Sequence, residues 1–344
     1  MMMMRAPHEM MMRAPHEMMM RAKPAPPPPE PGLDASDFDW IGDLGEGGFA
    51  RVIKVRHRRT GEVFALKEAF YPTPDEEEEA EVLRRAAWGP SPHVVRCHAL
   101  FPGPHGGPAS LLEFMDAGSL HDVLRRRGWR GFPEPALAEA ASRCLLGLAQ
   151  LHSRGVAHLD VKPENFLANA RGDVKINDFN VSRVVSGIPG GERVLVETSM
   201  GTTPYFSPER FAPRAQADAR GAMAADVWGL GLTVLELFLG GHPSCPMPRS
   251  RDMRTGRRRS ATGSRQFVAA CLHKDPTRRA RVPHLLKHPF VTQRDVEASS
   301  RALHELILEN MSRGRRQAAR FHGAVLCSLY LGSWHQLCVP ALLN

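Results

Sequence analysis

His158-Leu159-Asp160-Val161-Lys162-Pro163-Glu164-Asn165 is the stretch on which the reading of this chain turns. Asp160 can accept a hydroxyl proton or orient the hydroxyl, and Lys162 can offset charge on a transferring phosphoryl group. Asn165, five positions beyond Asp160, can give an oxygen to Mg²⁺. Downstream, Asp178-Phe179-Asn180 follows a strand-like piece at 174–176 and offers a second hard oxygen ligand. Each of these residues alone is an ordinary polar loop residue. The ordered set, with these gaps, is not.

Upstream lies a glycine-rich loop, Gly45-Glu46-Gly47-Gly48-Phe49-Ala50-Arg51-Val52. Missing side chains let backbone N–H groups come close to phosphates. A similar glycine pattern opens a helix in dinucleotide-binding folds, but here Val52, Ile53 and Val55 continue as a strand. A hairpin lid over phosphates therefore fits, with a plain tight turn as the alternative. Ala65-Leu66-Lys67 lies on the next strand, and Glu79 sits within an acid-led helical stretch at 75–87. A strand lysine paired with a helix glutamate holds an ammonium against α/β-phosphates. Glu79 is chosen over Glu81 because Val82 and Leu83 then turn to the core at i+3 and i+4.

With these motifs in hand, the chain resembles the protein kinase superfamily over about residues 39–290. Ser207-Pro208-Glu209 matches the Ala-Pro-Glu motif, Asp226-Val227-Trp228-Gly229-Leu230-Gly231 matches its helix-opening motif, and Arg279 is the implied partner of Glu209. Leu111-Leu112-Glu113-Phe114-Met115 and Gly201-Thr202-Thr203-Pro204-Tyr205-Phe206-Ser207-Pro208-Glu209-Arg210 are similar to plant-type mitogen-activated protein kinase kinases. The resemblance implies an α+β, two-lobed kinase fold with a small β-rich N-lobe and a larger helical C-lobe. It implies ATP and Mg²⁺ as cofactors. Gly45, Glu46, Gly47, Gly48, Val52, Ala65, Lys67 and Glu79 would surround the nucleotide, Leu112 would be the gatekeeper, and Glu113 and Met115 would offer backbone groups to adenine. Asn165 and Asp178 would hold the metal, and Asp160 and Lys162 would carry catalysis. The implied partners are a MAP kinase as protein substrate, phosphorylated on Thr and Tyr, and an upstream kinase. The implied setting is cytoplasmic, with the nucleus as a second compartment. The alternative is a catalytically weak pseudokinase that scaffolds the same pathway.

The family pattern is broken in places. Leu159 replaces the Arg that gathers a phosphorylated activation loop, so Leu159→Arg is expected to make activity respond more to loop phosphorylation. Asn180 replaces a glycine, and Asn tolerates left-handed backbone next best. Thr198 falls at the second activation-loop phosphosite, but Glu192 stands at the first. Residues 243–263 are short of an expected helix and carry Arg-rich sequence from 249 to 259. No basic docking peptide with spaced leucines is evident near the start.

Domain organisation reads as a Met/Pro-rich repeat and linker at 1–36, an N-lobe at 37–115, a C-lobe at 116–290 and a tail at 291–344 with a helix at 302–311. The repeat MMRAPHEM places Arg5, Arg13 and Arg21 in register, and a unit this short buries nothing. Composition agrees: 344 residues, 42% apolar and 24% charged, suit a globular enzyme rather than a disordered chain. A net charge of +8 without aromatic interleaving reads as a solvated basic surface ahead of a nucleic-acid site. Six scattered cysteines fit a reducing setting. No apolar run is read as a membrane span, the apolar stretch at 324–331 being too short.

Overall fold

The computed structural model describes residues 33, 35–47, 50–70, 76–103, 107–185, 194–196, 201–212, 215–243 and 262–321. The N-terminal repeat, Gly48, Phe49, Glu192, Thr198, the Arg-rich stretch at 249–259 and the apolar stretch at 324–331 lie outside them.

Alternating apolar residues build the first layer. β1 (Phe38–Glu46), β2 (Ala50–His57), β3 (Val63–Ala69), β4 (Cys97–Pro102) and β5 (Pro108–Glu113) form one antiparallel sheet in the order β1-β2-β3-β5-β4. Ile53, Val55, Phe64, Leu66 and Leu111 turn to one face and pack with Phe38 and Phe101, as the period of two requires. Thr60-Gly61 makes the turn between β2 and β3, with Gly61 at φ +72° donating its N–H to His57 O at 2.8 Å. The strand character of residues 94–100 is realised only from Cys97 onward. Val94 and Val95 are fully buried, and Val95 N–H donates to Ile176 O (3.0 Å), so this apolar run stitches the lobes rather than lengthening the sheet. α1 (Glu76–Ala86) buries Val82 and Leu83.

The rest is mainly helical. α2 (Leu120–Arg126) starts on a Ser119/Asp122 capping box. α3 (Glu134–Ser153) has the bounds its spacing predicts, and Leu137, Cys144, Leu145, Leu148 and Leu151 are buried along it. Small sheets β6 (Gly118–Ser119), β8 (Phe166–Ala168) and β9 (Val174–Ile176), and the pair β7 (Val156–Ala157) with β10 (Arg183–Val184), frame the loops between helices. β11 (Val194–Leu195) pairs with β12 (Gln216–Ala217).

α4 (Ala219–Leu239) starts seven residues before the 226–239 segment that periodicity shows. Asp218 caps it by accepting from Gly221 N–H, and its alanine-rich first turns carry no clear stripe. At 21 residues and mean hydropathy 1.6 it is long and apolar enough to cross a membrane, contrary to the expectation that no run is. Most of it is buried in the C-lobe core, 72% of its most apolar 18 residues, which accounts for its all-round apolar character.

α5 (Thr262–Cys271), α6 (Val282–Leu285) and α7 (Pro289–Thr292) follow. The tail helix is longer than 302–311: α8 spans Val296–Phe321, and Leu303, Leu306 and Ile307 are buried in the same cluster as α3. Glu139 on α3 accepts from Arg143 (2.8 Å) and from Arg294 (2.9 Å), just ahead of α8. Cys97, Cys144 and Cys271 are free and buried.

Candidate active site

The glycine-rich loop is the turn of the β1–β2 hairpin, as the strand residues after it require. Gly45 pairs with Val52, Glu46 with Arg51, and Gly47 N–H donates to Ala50 O at 2.9 Å. Across β3, Val52 is opposite Lys67 and Lys54 is opposite Ala65. Ala65 is in turn opposite Leu112 on β5. Leu112 and Met115 are buried at the lobe junction. Glu113 N–H is committed to Arg96 O (2.8 Å), and its carboxylate receives Lys175 Nζ at 2.7 Å on each oxygen. That side-chain role was not foreseen, since it joins residues 62 apart in sequence.

Lys67 Nζ donates to Glu79 Oε1 at 2.9 Å and to Asp178 Oδ1 at 3.3 Å, and also contacts Asn180 Oδ1. Glu81 instead pairs with Arg84 and Arg85, which settles the choice between the two acids. Burial pulls the Lys67 pKa down, but Asp178 and then Glu79 outweigh it, and the net displacement is upward. Lys67 is thus a fixed cation at neutral pH.

On the C-lobe side, the loop at 158–165 hangs from the buried Asp226 of α4. Asp226 accepts from His158 N–H (2.8 Å), Leu159 N–H (2.7 Å) and His152 Nε2 (2.8 Å). The helix can approach this closely because residue 229 is glycine: a Cβ there would meet Val161 O at 2.7 Å. His158 Nε2 lies 2.9 Å from Asn177 O, and its ring meets the Phe179 edge. Asp160 accepts from Lys162 Nζ (2.7 Å), Asn165 Nδ2 (3.1 Å) and Thr202 N–H (2.8 Å). Lys162 Nζ also reaches Thr202 Oγ1. Burial would raise the Asp160 pKa, but Lys162 and Thr202 hold it below the ordinary value, so it stays ionised at neutral pH. The Asn165 amide N–H₂ is committed inward, to Asp160 O and Oδ2. An anionic acceptor, an ammonium and the Thr202 hydroxyl thus meet around Asp160, and Asn177 N–H donating to Asn165 O at 2.9 Å ties this loop to the segment that carries Asp178, an arrangement able to position a hydroxyl against a phosphoryl group.

One expectation about the irregular positions is corrected. Asn180 is not in left-handed backbone. The non-glycine residues at positive φ among the described residues are Trp129, Leu159 (+63°) and Asp178 (+66°), so the turn falls two residues earlier. Leu159 is 3% exposed and packs with Val185, Val196, Ala215, Ala222 and Ala225. A restored arginine would enter this apolar seam. Arg210, which sequence reasoning missed, is buried beside it. It donates to Leu159 O (2.7 Å) and Val196 O (2.7 Å) and lies over the Phe206 ring, and burial pushes its pKa down to about 10. Arg279 holds Glu209 with two bonds, at 2.6 and 2.9 Å, as the resemblance implies.

The protein kinase domain family matches residues 38–291. The chain belongs to the protein kinase family. This kinase is similar to mitogen-activated protein kinase kinase 9 of Arabidopsis thaliana, 36% identical over 282 residues, covering 76% of this chain and 86% of the relative. It is likewise similar to mitogen-activated protein kinase kinase 7 of the same plant, 37% identical over 284 residues (76% and 87%), and to kinase kinase 10, 35% over 274 residues (75% and 85%). It is a divergent kinase of the mitogen-activated protein kinase kinase type, and the family implies the use of ATP.

Proposed function

We propose that this kinase transfers the γ-phosphoryl group of ATP to Ser, Thr and Tyr hydroxyls of a downstream MAP kinase. The observation that carries the reading is a pair of clusters, Lys67 with Glu79 and Asp178 and Asp160 with Lys162, Asn165 and Thr202, joined where Asn177, next to Asp178, donates its N–H to Asn165 O at 2.9 Å. The donor set suits a magnesium nucleotide. Asp178 and Asn165 offer hard oxygens, and among the described residues no group of three His, Cys, Asp or Glu forms a metal cage. A cation sharing its shell with phosphates and water, as Mg²⁺ does, needs no such cage. The bound magnesium nucleotide supplies the phosphoryl group and neutralises its charge. Lys67, held by Glu79, positions the α/β-phosphates, and the hairpin around Gly45 and Gly47 covers them. The Glu113 carbonyl and the Met115 backbone meet adenine, with Leu112 behind. Asp160 orients the acceptor hydroxyl and takes its proton, and Lys162 stabilises charge on the transferred group. The similarity to mitogen-activated protein kinase kinases supports a MAP kinase as the protein substrate.

The test is the purified chain with radiolabelled ATP, Mg²⁺ and a panel of kinase-dead MAP kinases. Label on at least one MAP kinase, lost in Lys67→Met, supports the reading. MAP kinase binding without label transfer to any panel member replaces it with the scaffold alternative.

A further inference from the structure

A lysine ammonium has three N–H donors and no acceptor. Lys67 Nζ meets three acceptors: Glu79 Oε1 (2.9 Å), Asp178 Oδ1 (3.3 Å) and Asn180 Oδ1. Its donors are therefore fully used by protein. A phosphate oxygen that takes one of them displaces an existing partner. Two of the three are carboxylates, whose charge-assisted bonds are roughly twice as strong as neutral ones. The carboxamide of Asn180 is the neutral acceptor and is the one that yields.

We propose that Asn180 is a positioning residue of the nucleotide site. Its side-chain oxygen stands where a phosphate oxygen would take the third N–H of Lys67, so it holds Lys67 and the Asp178 loop together and competes with nucleotide phosphate. The backbone does not ask for asparagine here, because residue 180 is not at positive φ; the left-handed residue is Asp178. What distinguishes asparagine from the glycine that the family resemblance implies is this contact with Lys67, across 113 residues of sequence.

The inference rests on the nucleotide reading above, and its test separates the two. Calorimetric titration of the full chain with ADP in EDTA, and with adenosine, compares wild type with N180A and N180D. N180A frees one donor of Lys67, and ADP binding is expected to tighten about fivefold, the equivalent of one ordinary net hydrogen bond. N180D puts a carboxylate on the same donor and is expected to weaken ADP by at least as much. Adenosine carries no phosphate, so its affinity stays within twofold of wild type in both variants. A purely structural role of Asn180 would shift both ligands together. ADP affinity unchanged or weakened in N180A, or an equal shift for adenosine, overturns the assignment of Asn180. Loss of ADP binding in Lys67→Met alongside that result leaves the nucleotide reading standing, whereas unchanged ADP binding in Lys67→Met removes that reading itself.

Discussion

Replacing Leu159 with alanine and with glycine tests what this residue does in place of an arginine. Leu159 is 3% exposed and packs in the seam formed by Val185, Val196, Ala215, Ala222 and Ala225. Truncating a leucine at such a site costs about 2–5 kcal/mol, through lost transfer energy and the cavity left behind. The seam is lined by small alanines on rigid α4, so it collapses poorly and the cost should fall near the middle, about 3 kcal/mol. Leu159 is also at φ +63°, a conformation that costs a non-glycine residue roughly 1–2 kcal/mol. Glycine is normally worse than alanine by about 0.5–1 kcal/mol. At this position the order reverses, and Leu159→Gly is expected to be more stable than Leu159→Ala by up to about 1 kcal/mol. Urea denaturation at pH 7 reads both differences. An alanine variant within about 0.5 kcal/mol of wild type would refute the packing argument, and one more stable than the glycine variant would refute the backbone argument. Leu159→Arg is expected to destabilise by more than either. It sets a guanidinium into the apolar seam beside Arg210, whose own pKa burial already pushes down to about 10.

Lys67→Met should cut phosphoryl transfer at least about a hundredfold with the cooperative unfolding transition retained; undiminished kinetics would remove Lys67 from the site. Arg279→Ala should cost about 3–5 kcal/mol, because it strands Glu209 beside a fully buried position; thermal unfolding checks this, and a shift under about 1 °C would contradict it. His121 is flanked by Glu236 and Glu164, which hold its pKa above the ordinary value against burial. Its proton therefore stabilises the fold fully below about pH 6.5, and that contribution is lost as pH rises through the higher folded value. The Tm gap between wild type and His121→Gln should shrink from pH 6 to pH 9, and a constant gap would count against the cluster. Thr198→Ala should keep substantial activity after incubation with an upstream kinase, because Glu192 already carries charge at the other expected phosphosite; complete loss would show that phosphorylation at Thr198 is required.

The parts of the fold legible in the sequence are those with a local signal. The 134–153 helix follows from apolar spacing alone, and the β2–β3 hairpin from alternation around Thr60-Gly61. The choice of Glu79 rests on Val82 and Leu83 facing inward, and both do. Where the signal was diluted, the boundary slipped: the alanines after Asp218 hid the first two turns of α4, though an Asp that accepts from the N–H three residues on is a helix start that can be read. The side-chain bonds that were missed join distant segments. Lys175 to Glu113, Lys67 to Asn180 and Arg210 to Val196 O each depend on the folded approach of two elements. Asn180 did carry a readable signal, an amide beside a predicted metal-ligand aspartate, but reading it as a backbone substitute for glycine looked at φ rather than at the side chain.

The same substitution logic applies to the segment between the Asp178 loop and α4. Leu159 cannot bind a phosphate, and the described parts of that segment are anchored without one. Its entry pairs Arg183 and Val184 with β7, and Val185 N–H donates to Gly155 O at 2.7 Å. Further on, β11 pairs with β12, Val196 N–H donates to Ala215 O at 2.8 Å, and Val196 enters the apolar seam under Leu159. Arg210 then ties Val196 O to Leu159 O through one guanidinium. At the exit, Gly201 at φ +97° brings Thr202 onto Asp160, where a Cβ would meet Leu159 O at 3.1 Å. An arginine–phosphate pair would be a charged clamp made only after modification. Leucine against valine, with an arginine on two carbonyls, is a clamp present from folding onward. Its strength is set by packing rather than by ionic strength, so salt that weakens exposed charge pairs should leave this anchorage intact.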